Sequence, residues 1–115
     1  MKLSKTVTQI IDLIKDKKGI DITVIDIRGL SSLTDYFVLC TSDSDPKTRA
    51  ISNHLKRELS KKKVKPIHIE GLNHLDWVLM DYSDVVVHIF KNEVRDFYKI
   101  EKLWADAKIK KIENN

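Results

Sequence analysis

Apolar positions along the chain fall into two periods, and the switches between them mark the elements. In residues 3–18, Leu3, Val7, Ile10, Ile11 and Ile14 recur at spacings of three and four, the single stripe of an amphipathic helix. Gly19 is the expected stop, because glycine accepts the left-handed conformation past a helix end. Residues 22–27 alternate and are rich in β-branched side chains, the pattern of a strand. Residues 28–34 carry Gly29 and a Ser31-Ser32 pair and read as a turn. Residues 35–41 form a second strand, nearly all apolar. Such a strand is usually covered on both faces.

Asp45 is expected to cap the next helix, with Pro46 in its first turn. That helix is predicted over 46–62, with Ala50, Ile51, His54, Leu55 and Leu59 as its inner stripe. Pro66 opens a strand at 67–70. Strand, helix and strand in succession make a βαβ unit, which predicts parallel strands with a right-handed crossover. After a loop at 71–76, residues 77–82 and 85–90 read as strands separated by Ser83-Asp84, a tight antiparallel hairpin. A last helix is predicted over 92–104, capped by Asn92, with Val94, Phe97, Ile100, Leu103 and Trp104 as buried positions. Residues 105–115 are mostly polar and read as a loose tail in which Ile109 and Ile112 can dock. The expected organisation is one domain over 1–106 and a polar C-terminal tail over 107–115. Its fold class is α/β, a mixed sheet of about five strands covered by helices.

Composition agrees. The chain has 115 residues, 42% apolar and 33% charged, which fits one ordinary soluble domain. Cys40 is the only cysteine, so no disulfide forms within the chain. Inside an apolar strand its thiol is expected to be inert. No apolar run approaches the length of a membrane span. The opening residues have neither the long apolar core of a secretory leader nor the arginines of a transit peptide, so a cytoplasmic location is expected. Net charge is +4, unevenly spread. Residues 47–65 hold eight bases against Glu58 alone, leaving 13 bases and 16 acids elsewhere. Such a segment can meet nucleic acid or an acidic protein. Spacing alone favours a solvated helix face.

Candidate chemistry is sparse. His68, His74 and His88 stand in no metal-ligand spacing, and no second cysteine accompanies them. Asp76, Asp81 and Asp84 cluster around the hairpin. Paired acids can hold a divalent metal beside a phosphate, and the loop 41–44 lies between strand and helix like a phosphate cradle. That loop has no glycine, and Asp81 and Asp84 are three apart across a turn. Turn chemistry and helix capping are therefore the favoured reading. Trp77 opens a strand directly after a polar loop, as a docking anchor does and as a core residue also can. Tyr82 and Tyr98 share that ambiguity.

Together these residues form a longer pattern. It runs through Asp26-Ile27-Arg28-Gly29-Leu30-Ser31-Ser32-Leu33-Thr34-Asp35-Tyr36-Phe37, then Glu70-Gly71, then Asp76-Trp77-Val78-Leu79-Met80-Asp81-Tyr82. Asp84-Val85-Val86-Val87-His88-Ile89-Phe90 follows, with Arg95, Tyr98, Leu103 and Trp104 after it. The pattern resembles the ribosomal silencing factor family (RsfS, also called Iojap or YbeB) over roughly residues 5–106. The resemblance implies a non-enzymatic protein without a cofactor. It implies binding to the large ribosomal subunit at its protein L-fourteen, on the face that meets the small subunit. There it would block subunit joining and lower translation when nutrients are short. The implied fold is nucleotidyltransferase-like, without that class's glycine-serine loop and paired aspartates, and a shared fold does not carry activity with it.

Carried onto this chain, the resemblance makes Trp77 an apolar anchor, Met80 a flexible apolar contact and Asp81 a partner for a basic ribosomal side chain. Glu70, His74 and Tyr98 fall on the rim. Alternation puts Trp77 and Asp81 on one strand face and Met80 on the other. Ser83 stands where the family usually has glycine, which bears on the turn and on how Asp81 and Asp84 point. The basic helix is read as an auxiliary contact with ribosomal RNA, and a homodimer is compatible with the resemblance. Two other readings stand beside it. One is a direct RNA-binding module on the basic helix, where no aromatic residues interleave for stacking. The other is a small nucleotidyltransferase using Asp81 and Asp84 with magnesium.

Overall fold

Helix α1 spans Lys5–Asp16 and buries Val7, Ile10, Ile11 and Ile14, the stripe read from sequence. The computed structural model describes residues 3–113, with the side chains of Phe97 and Tyr98 outside that description. Ser4 caps α1, its Oγ accepting the Val7 N–H at 3.2 Å. The end of α1 differs from expectation. Lys18, not Gly19, takes the left-handed conformation, at φ 65°. The Lys18 N–H donates to the Lys15 carbonyl and the Gly19 N–H to the Ile14 carbonyl, each at 3.0 Å. These are the two bonds of a Schellman ending. Gly19 matters through its missing side chain. A Cβ there would lie 2.4 Å from Ile14 Cγ2 and 3.3 Å from Ile51 Cδ1.

Strands β1 (Ile20–Asp26) and β2 (Tyr36–Ser42) pair antiparallel. Helix α2 spans Asp45–Lys61. Its cap is Ser44 rather than Asp45, with Ser44 Oγ accepting the Lys47 N–H at 3.2 Å. Asp45 and Pro46 occupy the first two helical positions. The buried stripe is Thr48, Ile51, Ser52, Leu55 and Leu59. Ala50, expected inside, lies nearly opposite these at 3.6 residues per turn and is exposed. His54 is half-buried and meets Asp16 at 3.1 Å.

The chain continues through β3 (His68–Glu70), β4 (Trp77–Asp81), β5 (Val85–Lys91), α3 (Asn92–Tyr98), α4 (Ile100–Leu103) and β6 (Lys108–Lys111). The single last helix expected over 92–104 is broken at Lys99, whose φ is 48°. Leu103, expected to be buried, is exposed. The segment expected as a loose tail supplies β6, which pairs antiparallel with β1. Ile112 beyond it packs on the core. The described residues therefore form a six-stranded sheet in the order β3-β4-β5-β2-β1-β6. Only β2 and β5 pair in parallel. The successive pairings make β3 run parallel to β2, as the βαβ reading requires, but β4 and β5 lie between them.

The family-like signature around residues 26–37 is local architecture. Arg28 grips the Asp26 carboxylate through two bonds, of 3.0 and 2.7 Å, and lies 5.1 Å over the Tyr36 ring. The guanidinium beside Asp26 holds its carboxyl below the usual range. The carbonyl of Asp84, in the β4–β5 turn, accepts the N–H groups of Asp35 and Tyr36, each at 3.1 Å. That fixes the start of β2 against the hairpin.

Helices α1 and α2 cover one sheet face, over a cluster that includes Val24, Val38, Val78, Met80 and Val87. The other face buries Ile25, Ile27, Leu39, Phe90 and Ile100, with Phe37, Trp77, Val94 and Trp104 around them. Helix α3 lies against β5 and β2. Arg95 ties it down, donating to the Asp21 carbonyl at 2.6 Å, to the hydroxyls of Thr41 and Thr23 at 2.9 Å, and to Glu101 at 3.1 Å.

The tight passage at Gly19 is testable. Gly19→Ala is expected to lower the unfolding free energy by about 1–3 kcal/mol, the usual cost of overpacking a core. Urea denaturation followed by circular dichroism measures it, and an unchanged midpoint would contradict the tight contact.

Candidate functional site

Strand β4 alternates strictly. Val78 and Met80 are wholly buried on the helix-covered face, while Trp77, Leu79 and Asp81 are half-buried on the other. Register extends this second face sideways. Asp81 lies opposite His68 and Leu79 opposite Glu70 on β3. Trp77 lies opposite Phe90, Leu79 opposite His88 and Asp81 opposite Val86 on β5. Directly opposed residues share a face. His68, Glu70, Trp77, Leu79 and Asp81 therefore form one surface, beside the part of the sheet where α3 lies against β5 and β2.

Trp77 sits at the head of an aromatic row. Its indole N–H donates to His88 Nδ1 at 3.0 Å. Its ring centroid lies 4.9 Å from Phe90 and 5.8 Å from His88. Phe37 meets His88 edge-on at 4.9 Å and Trp104 edge-on at 5.7 Å. His88 is only 4% exposed, and burial pushes its pKa down to about 4. The ring is neutral at physiological pH. Because Nδ1 accepts from Trp77, the proton sits on Nε2, which is buried and finds no partner among the described residues.

Two further residues, Gly71 and Lys91, hold the start of β4. Gly71 has φ 92°, and a Cβ there would lie 2.0 Å from the Trp77 carbonyl oxygen. Only glycine permits both that conformation and that approach. The Gly71 carbonyl accepts the Leu75 N–H at 2.8 Å, closing the loop before Trp77. At the far end of β5, Lys91 bridges Asp45 and Asp76, the latter at 3.2 Å. These two carboxylates raise its pKa. The Lys91 N–H also donates to the Asp76 carbonyl at 3.0 Å. The residue before Trp77 is thus held by both backbone and side chain.

Asp81 has a structural task. Its Oδ1 accepts the Ser83 N–H at 2.8 Å. Ser83 takes φ 75°, and the Asp84 N–H donates back to the Tyr82 carbonyl at 3.0 Å. This is a γ-turn, a rare and strained form, and the Asp81 carboxylate supports it where the chain has no glycine. The second carboxylate oxygen of Asp81 accepts no hydrogen bond among the described residues.

The residues expected at the partner surface separate accordingly. Trp77, Asp81 and Glu70 share the open face. Met80 does not. It is wholly buried among the residues under α1 and α2, because its position in the alternation points it there. Leu79 takes its place on the open face. Sequence reasoning passed over Leu79, although its spacing of two from both Trp77 and Asp81 was the available signal. Glu70 is exposed and meets His68 at 2.6 Å. His74 is exposed in the loop before β4. The side chain of Tyr98 lies outside the described residues.

The features that suggested phosphate or metal chemistry are engaged locally. Ser42 Oγ donates to the Ser44 carbonyl at 2.9 Å, and Ser44 caps α2. Asp76 belongs to Lys91 and Asp81 to the turn. Burial pushes the Cys40 thiol up to about 12, so it stays protonated, as expected for an inert cysteine. In the basic segment, Lys47 pairs with Asp43, and Arg57 and Lys61 pair with Glu58. Arg49, Lys56, Lys62, Lys63 and Lys65 are exposed and form no ion pair among the described residues.

Residues 1–115 match the family described as "Ribosomal silencing factor during starvation". The chain is 39% identical over 92 residues to the ribosomal silencing factor RsfS of Bacillus subtilis, covering 80% of this chain and 78% of that protein. It is 29% identical over 102 residues to the mouse protein "Mitochondrial assembly of ribosomal large subunit protein 1", covering 86% of this chain and 45% of that one. A crystal structure of a Chromobacterium violaceum protein superposes with a TM-score of 0.86 at 35% identity, covering 91% of this chain and 88% of that one.

The buried His88 makes stability depend on pH. Its pKa in the folded chain lies below the ordinary 6.5, so the unfolded chain binds the proton first. Stability contributed by the neutral ring is complete above about pH 6.5 and declines toward pH 4, by up to about 1.4 kcal/mol per unit. Urea titrations at several pH values should show this slope, and His88→Leu should flatten it. An equal slope in that variant would assign the effect to other groups.

Proposed function

This chain belongs to the ribosomal silencing factor family, and we propose that it docks on the large ribosomal subunit and keeps the small subunit from joining. The proposed contact is ribosomal protein L-fourteen on the subunit-facing side, and the setting is nutrient limitation. No chemical step is required. The mouse relative's name links that protein to large-subunit assembly, which supports a large-subunit partner here.

The observation that carries the reading is the state of Trp77. It is half-buried on the face opposite α1 and α2, packed beside Phe90, with its indole N–H bonded to His88. An indole held this way presents apolar surface, and docking strands no donor. Leu79 extends the apolar area. Asp81, through its second oxygen, and Glu70 supply negative charge for basic side chains, which adds specificity and steering more than raw affinity. A standard interface of about 1,200–2,000 Å² suffices for specific docking. A body of this size on the joining surface then excludes the second subunit by occupancy.

The test is co-sedimentation with purified large subunits beside a subunit-joining assay. The wild-type chain is expected to bind and to block joining. Trp77→Ala should weaken binding about thirtyfold or more, the usual cost of truncating a central tryptophan anchor, while its circular dichroism stays native. Met80→Ala should instead lower stability by about 2–5 kcal/mol and leave the affinity of the folded fraction unchanged. Absence of binding at micromolar protein would overturn the proposal.

A further inference from the structure

We propose that the groove between α2 and β3 is a second docking site, which takes an extended acidic segment of a partner protein laid beside the β3 edge. The groove measures about 540 Å³ and is lined by Lys56 and Ser60 of α2 on one side and by Lys65, Pro66, Ile67, His68 and Ile69 on the other. Its floor is apolar. Ile67 is 70% exposed, beside half-buried Pro66 and Ile69. No carboxylate among the described residues lines it.

Two observations define the occupant. The first is the edge. β3 ends the sheet, and no strand lies beyond it among the described residues. Sheet edges are commonly guarded by charged side chains, lysine above all. The opposite edge, β6, is guarded in this way by Lys108, Lys110 and Lys111. The β3 edge is three residues long and carries His68 and Glu70 on one face, while Ile69 and the preceding Ile67 face the groove. An extended peptide can add to such an edge, with main-chain bonds giving affinity and alternate side chains giving specificity.

The second observation is charge. Lys56 and Lys65 flank the apolar floor and form no ion pair among the described residues, whereas Lys47, Arg57 and Lys61 on the same segment do. An apolar floor between two uncommitted ammonium groups suits a peptide that alternates apolar and acidic residues. Single-stranded RNA fits less well, because no aromatic ring lines the groove to stack a base. The groove meets the proposed ribosome-docking surface at His68 and otherwise lies on the opposite face of the sheet. Ile69 lies opposite Met80 and shares the helix-covered face, while Trp77 is on the other.

The probe is an eight-residue fluorescein-labelled peptide alternating glutamate and valine, followed by fluorescence anisotropy against the full chain. A lysine–valine peptide and an oligouridylate serve as comparisons. Saturable binding of the acidic peptide is expected, weakened about tenfold or more in Ile67→Asp and in the Lys56→Glu, Lys65→Glu double variant, each confirmed folded by its thermal melt. Trp77→Ala should bind the peptide like wild type. Amide shifts on titration should centre on 66–70. No saturable binding, equal binding of the lysine–valine peptide, or displacement by oligouridylate would overturn the proposal. So would self-association that Ile67→Asp abolishes, which would give the groove to a second copy.

Discussion

The parallel pairing of β2 with β5 constrains most of what surrounds it. The two strands run in register from Tyr36 opposite Val85 to Ser42 opposite Lys91, and nearly every residue in both is buried. Strands buried on both faces need cover twice. Helices α1 and α2 supply one cover. The other falls to the chain that follows β5, where α3 spans seven residues and α4 four. Such short helices cannot roof the whole sheet. The pairing also sends β4 and β3 outward to the sheet's end. Among the described residues, the end of the sheet at β3 and the half-buried face of β4 thus follow from one central choice of neighbours.

Burying the second face brings polar groups with it. His88 lies in the middle of β5, under α3's side of the sheet, with its charge suppressed by burial. Nε2 of this ring finds no partner among the described residues, while Nδ1 fixes the Trp77 indole. Arg95 performs a comparable service at the far end of the strands, where β1 and β2 offer carbonyl and hydroxyl acceptors to one guanidinium. The ion pairs of Lys91 are exposed and individually weak, as surface pairs are. Their value is positional, because both acids flank segments that converge on the end of β5.

Much of this was legible in the chain. The α1 stripe, the apolar β2, the hairpin around Ser83-Asp84 and the helix from Pro46 all follow from periods of 3.6 and 2, which are set by backbone geometry. Errors cluster where tertiary context decides. Asp45 and Ser44 are both good caps, and only the path of the loop selects Ser44. Lys18 and Gly19 exchange roles because packing against Ile14 and Ile51 needs the smaller residue one position later. The strand β6 carries mostly lysine, which propensity disfavours in strands, so only its pairing with β1 makes it one. Met80 and Leu79 are equally apolar. The alternation that separates them was on the page, but which parity faces the helices depends on the register with β5. The family resemblance pointed to Trp77 and Asp81 as partner contacts, and it did not show that Asp81 also supports a turn without glycine.

The residues that first suggested nucleotide chemistry are engaged in local structure. Ser42 and Ser44 close a loop and cap α2. Asp76 anchors Lys91. Asp81 stabilises Ser83 in a conformation that serine adopts at a cost. Each group acts on its own backbone neighbourhood, and together they hold the loop and hairpin that carry Trp77, Leu79 and Asp81. A protein that acts by occupying a surface needs little more than this. Its working residues must be held still rather than activated, since every side chain that docking must order subtracts from affinity. For the proposed docking, the fold contributes the placement of one indole by a neutral histidine, a glycine contact and a lysine bridge.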